Sequence, residues 1–178
     1  PVNLKFLKEV QKDIKIIVLV RDVEEILASF IKWSQKEPTS FVNQFEAKTI
    51  EEKCDMLMKQ GGQIVKELIG IKHLLDHQPK EMYHIVEYND LCDNPKKTIE
   101  GIYDFLGIYR FNHRYTNLDQ FYVNGMKYDD KIVGEGLHTI ETNSINSNNY
   151  NEFKENVNDI LPKSIIEKYN NLNFWKGK

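Results

Sequence analysis

The chain has 178 residues, a formal net charge of -3, and 40% hydrophobic against 29% charged residues. That length supports an ordinary hydrophobic core without disulfide staples. The mildly negative balance excludes a surface given over to nucleic acid but leaves room for one local anion site.

Ile14 to Val20 reads as a continuous apolar run rich in β-branched residues, and it predicts a strand buried on both faces of a parallel sheet. Asp22 then offers a helix N-cap, and Ile26, Leu27, Phe30 and Ile31 recur at helical spacing on one face. Glu25, Ser29, Lys32 and Lys36 fall on the opposite face, and Pro38 marks the helix end. Thr49 and Glu52 have the spacing of a capping box. They open a long helical stretch carrying Met56, Leu57, Ile64, Val65, Leu68, Ile71 and Leu75, which Gly61 and Gly62 are expected to split or kink. Tyr83 to Tyr88 predicts a second strand. Asn94 and Pro95 supply a cap and a first-turn proline, Ile99, Ile102, Tyr103 and Leu106 form a stripe, and Gly107 closes that helix.

The order strand, helix, helix, strand, helix implies an α/β fold with parallel strands and helical crossovers. Two strands make too small a sheet. Further strands are expected either after Asn112 or in sequence upstream of Pro1. Residues 141–151 read as an asparagine-rich linker and residues 152–178 as a C-terminal helical segment, the whole 1–178 forming one domain. No apolar run approaches the roughly 20 residues that a membrane helix needs, and the first ten residues do not pattern as a secretory leader. Cys54 and Cys92 stand in different predicted elements without metal spacing, so a reducing, cytoplasmic setting is expected.

In parallel sheets ligands sit beyond the carboxyl ends of strands, where helix N-termini supply free N–H groups. Arg21 lies at that edge, one of only three arginines among 24 basic residues, which favours a site that needs the planar fork. Ser29 is seven residues beyond Asp22, about 700° of helical rotation and roughly 10 Å of rise, so it returns to nearly the same face. On spacing alone two readings stand. Arg21 and Ser29 share one anion, charge from the guanidinium and orientation from the hydroxyl, or Arg21 pairs with Asp22 or Glu25 and Ser29 is surface.

The segment KIIVLVRDVEEILASFIKW resembles the 3′-phosphate-binding segment of sulfotransferases that use 3′-phosphoadenosine-5′-phosphosulfate (PAPS). YHIVEYNDLCDNPKKTIEGIYDFLGI is similar to that family's later strand and helix, and GLHTI and LNFW to the ends of its bacterial-type branch. The resemblance implies a P-loop-containing nucleoside triphosphate hydrolase-like parallel sheet flanked by helices. It also implies 3′-phosphate binding by Arg21 and Ser29, and transfer of a sulfuryl group from PAPS to an acceptor hydroxyl or amine without a metal. The implied partners are that nucleotide and an acceptor, with no nucleic acid.

Two departures stand out. No G-x-x-x-x-G-K-[ST] or Arg-Ser-Gly-Thr segment is present, so the phosphate loop, and with it the catalytic base, is expected upstream. Glu141 stands after LHTI where related sequences suggest a basic residue. Two alternatives to the sulfotransferase are a small kinase on the same fold and a non-catalytic protein-binding module. His73 and His77 read as a solvated helix face rather than a metal pair. His138, Asp129 and Asp130 read as surface, and Trp33 and Trp175 as packing rather than an acceptor pocket.

Overall fold

The computed structural model describes residues 4–115, 122–127 and 157–177. Its centre is a parallel pair, β1 (Ile16–Val20) and β2 (Tyr83–Glu87), in a register that sets Ile16 against Tyr83 and Val20 against Glu87. After α1 (Leu4–Val10) and β1, the crossover runs through α2 (Val23–Lys36), α3 (Ile50–Met58) and α4 (Gln63–His77). β2 leads directly into a short α5 (Tyr88–Asp93) and then α6 (Pro95–Leu106). A hairpin of β3 (Tyr122–Val123) and β4 (Met126–Lys127) turns through Asn124 and Gly125, both at positive φ, and stands apart from the central pair. Residues 157–160 are helical, and α7 (Lys163–Tyr169) precedes the C-terminal turn.

The core lies on one face of the pair. Val18 and Val20 meet Val23, Leu27, Ala28 and Ile31 of α2, with Leu57, Leu68, Ile165 and Trp175 completing the cluster. Side chains alternate between faces of a strand, so Ile17, Leu19, His84 and Val86 point the other way. There α6 covers β2, with His84 stacked on Phe105 at 5.3 Å. It leaves Ile17 and Leu19 of β1 42% and 59% exposed. The expectation that β1 is buried on both faces is therefore corrected, because the helices that reach β1 among the described residues all pack on the Val18 side. For the same reason the stripe of α6 is only half-buried.

The capping box at α3 forms as its spacing requires, with Thr49 accepting from the Glu52 amide and Glu52 from the Thr49 amide. The double glycine splits the helix. Gly61 sits at φ +80, and a Cβ on Gly62 would lie 2.5 Å from the Leu57 carbonyl oxygen, so the close approach of α3 to α4 needs glycine. Gly107 ends α6 in the left-handed region, φ 69, with the Ile108 amide bonded back to Tyr103 and the Gly107 amide to Asp104. That is the paired closure in which glycine is favoured.

Candidate anion-binding site

The site is built at the carboxyl edge of the pair, where β1 passes into α2 and β2 into α5. Val20 is level with Glu87, so the next residues, Arg21 and Tyr88, are neighbours across the sheet. The Arg21 guanidinium carbon stands 4.5 Å from the centre of the Tyr88 ring, a cation–π contact. Its Nε donates to Glu25 Oε2 at 3.1 Å, one helical turn on. Glu25 is only 3% exposed. Although Glu25 falls opposite the apolar stripe of α2, the i to i+4 geometry places it against Arg21 in the interior, where a carboxylate requires a partner. Of the two local carboxylates open to Arg21 by sequence, the structure selects Glu25.

Burial raises the Tyr88 phenol, and its neighbour Cys92 adds to the effect. Burial likewise raises the Cys92 thiol. Cys54, fully buried, is pushed up to about 12 by burial, with Asp55 and Glu51 nearby. Both thiols are free and protonated at neutral pH.

Ser29 lies two turns along α2 from Asp22 and is exposed. Asp22 occupies the N-cap position, but its carboxylate makes no cap bond. It meets Lys176 Nζ at 2.7 Å instead. The capping oxygen comes from Asn173, whose Oδ1 accepts from the Val23 amide at 2.9 Å while its Nδ2 donates to Glu24 at 3.1 Å. The cap expected from Asp22 is corrected accordingly: a lysine within reach of the carboxylate draws it off the helix axis. Burial opposes the charge of Lys176, yet Asp22, with Glu87 and Glu24 nearby, holds its ammonium above the ordinary lysine range. Glu87, at the end of β2, is raised by burial and by Asp90. On its α6 side lies a cavity of about 300 Å³ lined by Glu87, His84, Asp90, Lys97 and Thr98.

Sequence reasoning named Arg21 and Ser29 as candidates and missed Tyr88, the burial of Glu25, and both C-terminal contacts. Tyr88 becomes legible only once the strand register is known. Asn173 and Lys176 belong to a tail without periodicity, 150 and 154 positions from their partners. His73 and His77 stack on each other at 4.3 Å on an exposed helix face. Trp33 packs against Phe30 and Phe41, and Trp175 is 3% exposed in the core. His138, Glu141, Asp129 and Asp130 lie outside the described residues.

The chain that carries this junction is matched over residues 3–171 by the family described as the sulfotransferase domain. The chain belongs to the sulfotransferase-domain family. No curated protein matches its sequence. Among solved structures, this sulfotransferase domain is similar to the "Sulfotransferase Domain from the Curacin Biosynthetic Pathway", with a TM-score of 0.57 and 15% identity. The match covers 86% of this chain and 52% of that one, so the chain spans about half the length of its structural neighbour. At that identity the likeness is one of fold.

Proposed function

We propose that this sulfotransferase domain binds the 3′-phosphate of PAPS through Arg21 and Ser29, within a P-loop-type fold, and serves sulfuryl transfer to an acceptor hydroxyl or amine. The observation that carries the reading is the Arg21 guanidinium at the carboxyl edge of a parallel pair, held by Glu25 through Nε and by Tyr88 on its face. Those contacts orient the guanidinium, whose charge and planar fork suit a phosphate at the sheet edge. The two residues suit a phosphate in type: a held cation before the first turn of α2, and a short exposed hydroxyl two turns on.

In the transfer itself the acceptor oxygen or nitrogen attacks sulfur, the bond from sulfur to the 5′-phosphate oxygen breaks, and the acceptor proton passes to a base. 3′-Phosphoadenosine-5′-phosphate (PAP) leaves. The chemistry needs positioning and charge stabilisation more than covalent work by the protein. The contribution of Arg21 and Ser29 is to fix the nucleotide by its far phosphate, so that remote binding energy places the sulfuryl group. Two buried, protonated thiols suit a reducing, cytoplasmic setting.

Calorimetry on the full natural protein tests the reading, with PAP compared against ADP and 5′-AMP in the absence of metal. Affinity that requires the 3′-phosphate, and that falls by about 2 kcal/mol in Arg21→Ala as for a lost charged hydrogen bond, is the expected result. Equal affinity for ADP and PAP, or an unaffected Arg21→Ala variant, would sink it.

A further inference from the structure

α2 starts without a cap of its own, and the chain supplies one from its far end. The Asn173 side chain bridges the first turn, accepting from the Val23 amide at 2.9 Å and donating to the Glu24 carboxylate at 3.1 Å. Three residues on, Lys176 pairs with Asp22 at 2.7 Å. Between them Trp175 is 3% exposed in the core and packs edge-on against Phe174 at 5.3 Å. The Lys176 amide closes the turn onto the Asn173 carbonyl at 3.2 Å. The tail is therefore anchored by a buried indole, and its two polar side chains grip the residues that immediately follow Arg21. Both grips lie beyond residues 3–171, the span matched by the family.

We propose that the turn from Asn173 to Lys176 is a latch that positions Arg21 for its anion, with Asn173 and Lys176 as positioning residues. This rests on the reading of Arg21 as a phosphate ligand. The physical link runs through the first turn of α2. Glu25 holds Arg21 Nε, and the Glu25 amide in turn bonds the Asp22 carbonyl at 3.0 Å. A first turn with an orphaned N–H frays. Once it frays, Glu25 moves and the guanidinium leaves the Tyr88 ring. Lys176 has a second effect. Asp22 is adjacent to Arg21 in sequence, and its uncompensated charge would repel an incoming phosphate dianion. The ion pair with Lys176 offsets that charge.

The test uses the full natural protein and its Asn173→Leu, Lys176→Met, Lys176→Arg and Arg21→Ala variants. Two quantities are read: amide hydrogen exchange over residues 22–26, and the ratio of PAP to 5′-AMP affinity, which reports the hold on the 3′-phosphate. A latch predicts faster exchange in Asn173→Leu and Lys176→Met. It also predicts that their PAP preference drops about threefold to tenfold, the range for one or two hydrogen bonds, with Lys176→Arg restoring both. Faster exchange with an unchanged PAP preference would make the turn a structural cap and overturn the proposal, as would unchanged exchange. If Asn173→Leu does not fold, the Lys176 pair decides, since that side chain is 48% exposed and its loss is tolerated. Failure of the underlying reading looks different: the natural protein then shows no PAP preference, or Arg21→Ala keeps it, and the latch falls with it.

Discussion

Ser29 is exposed, so the loss of its hydroxyl leaves no buried donor unpaired and opens no cavity. Ser29→Ala is expected to change unfolding stability by no more than about 0.5 kcal/mol, while PAP affinity falls by about 1 kcal/mol, the net worth of one hydrogen bond. Urea unfolding and calorimetry on the same sample separate the two. An affinity unchanged within error would remove Ser29 from the site. Arg21 differs in kind, because its partner Glu25 is buried and its face lies on Tyr88. A cation that already has a carboxylate at Nε is oriented before any ligand arrives, which reduces the entropy lost on binding. Arg21 was legible in the sequence because an isolated arginine at a strand end stands out in a lysine-rich chain. Tyr88 was not, because only the pairing of Val20 with Glu87 brings it alongside.

At the scale of elements, the break between α3 and α4 rests on one atom of clearance. Gly62→Ala places its Cβ 2.5 Å from the Leu57 carbonyl and 2.8 Å from that of Lys59. Backbone atoms cannot swing away as a side-chain tip can. The expected cost is about 2 kcal/mol, typical of overpacking, measured as a lower urea midpoint with an unchanged slope. α3 is also tied to α7, for Asp55 accepts from Lys168 at 2.8 Å and from the Tyr169 hydroxyl at 2.6 Å. Those two bonds, Lys168 first, hold the Asp55 carboxyl below its ordinary range. The Lys48 and Thr49 amides do the same for Glu52 in the capping box. A carboxyl depressed in the folded state contributes stability above its unfolded pKa, near 4 for aspartate and glutamate, and loses it as pH falls through the folded value. Glu87, raised by burial, acts with the opposite sign: its contribution is present at low pH and is lost as pH rises through its folded value. Urea unfolding at pH 7 and below pH 4 is expected to show a smaller loss of stability on acidification in Asp55→Asn than in the natural protein. An equal loss would mean that the α3 to α7 tie carries no net energy.

At the scale of the molecule, the described helices cover both faces of β2 but only one face of β1. Val18 and Val20 are buried beneath α2, whereas Ile17 and Leu19 face outward. Adjacent exposed aliphatics on a strand form a sticky surface. Replacing both by threonine, a β-branched residue favoured in strands, is expected to lower the binding of a hydrophobic dye by this chain. Far-UV circular dichroism is expected to stay the same. Unchanged dye binding would show that the face is covered in solution.

Local chemistry decided most of the elements before any tertiary contact. The cap expected from Asn94 is corrected, since Asn94 holds the N-cap position without a side-chain cap bond, but the Thr49 to Glu52 box, the double glycine, the Pro95 start and the Gly107 stop each act within a few residues, so composition and spacing suffice to read them. The same holds for the Arg21 junction, since a strand, an arginine and an amphipathic helix follow one another in the chain. The Asn124-Gly125 turn was equally local and was overlooked among the weaker patterns after Asn112. What the tertiary structure alone decided are the contacts that close over long loops: the partnership of Arg21 with Tyr88, the one-sided burial of β1, and the capping of α2 by Asn173 across 150 positions. A pairing of that span leaves no periodic trace, because its geometry comes from how β2 and the C-terminal turn pack against the core and not from the residues beside either partner.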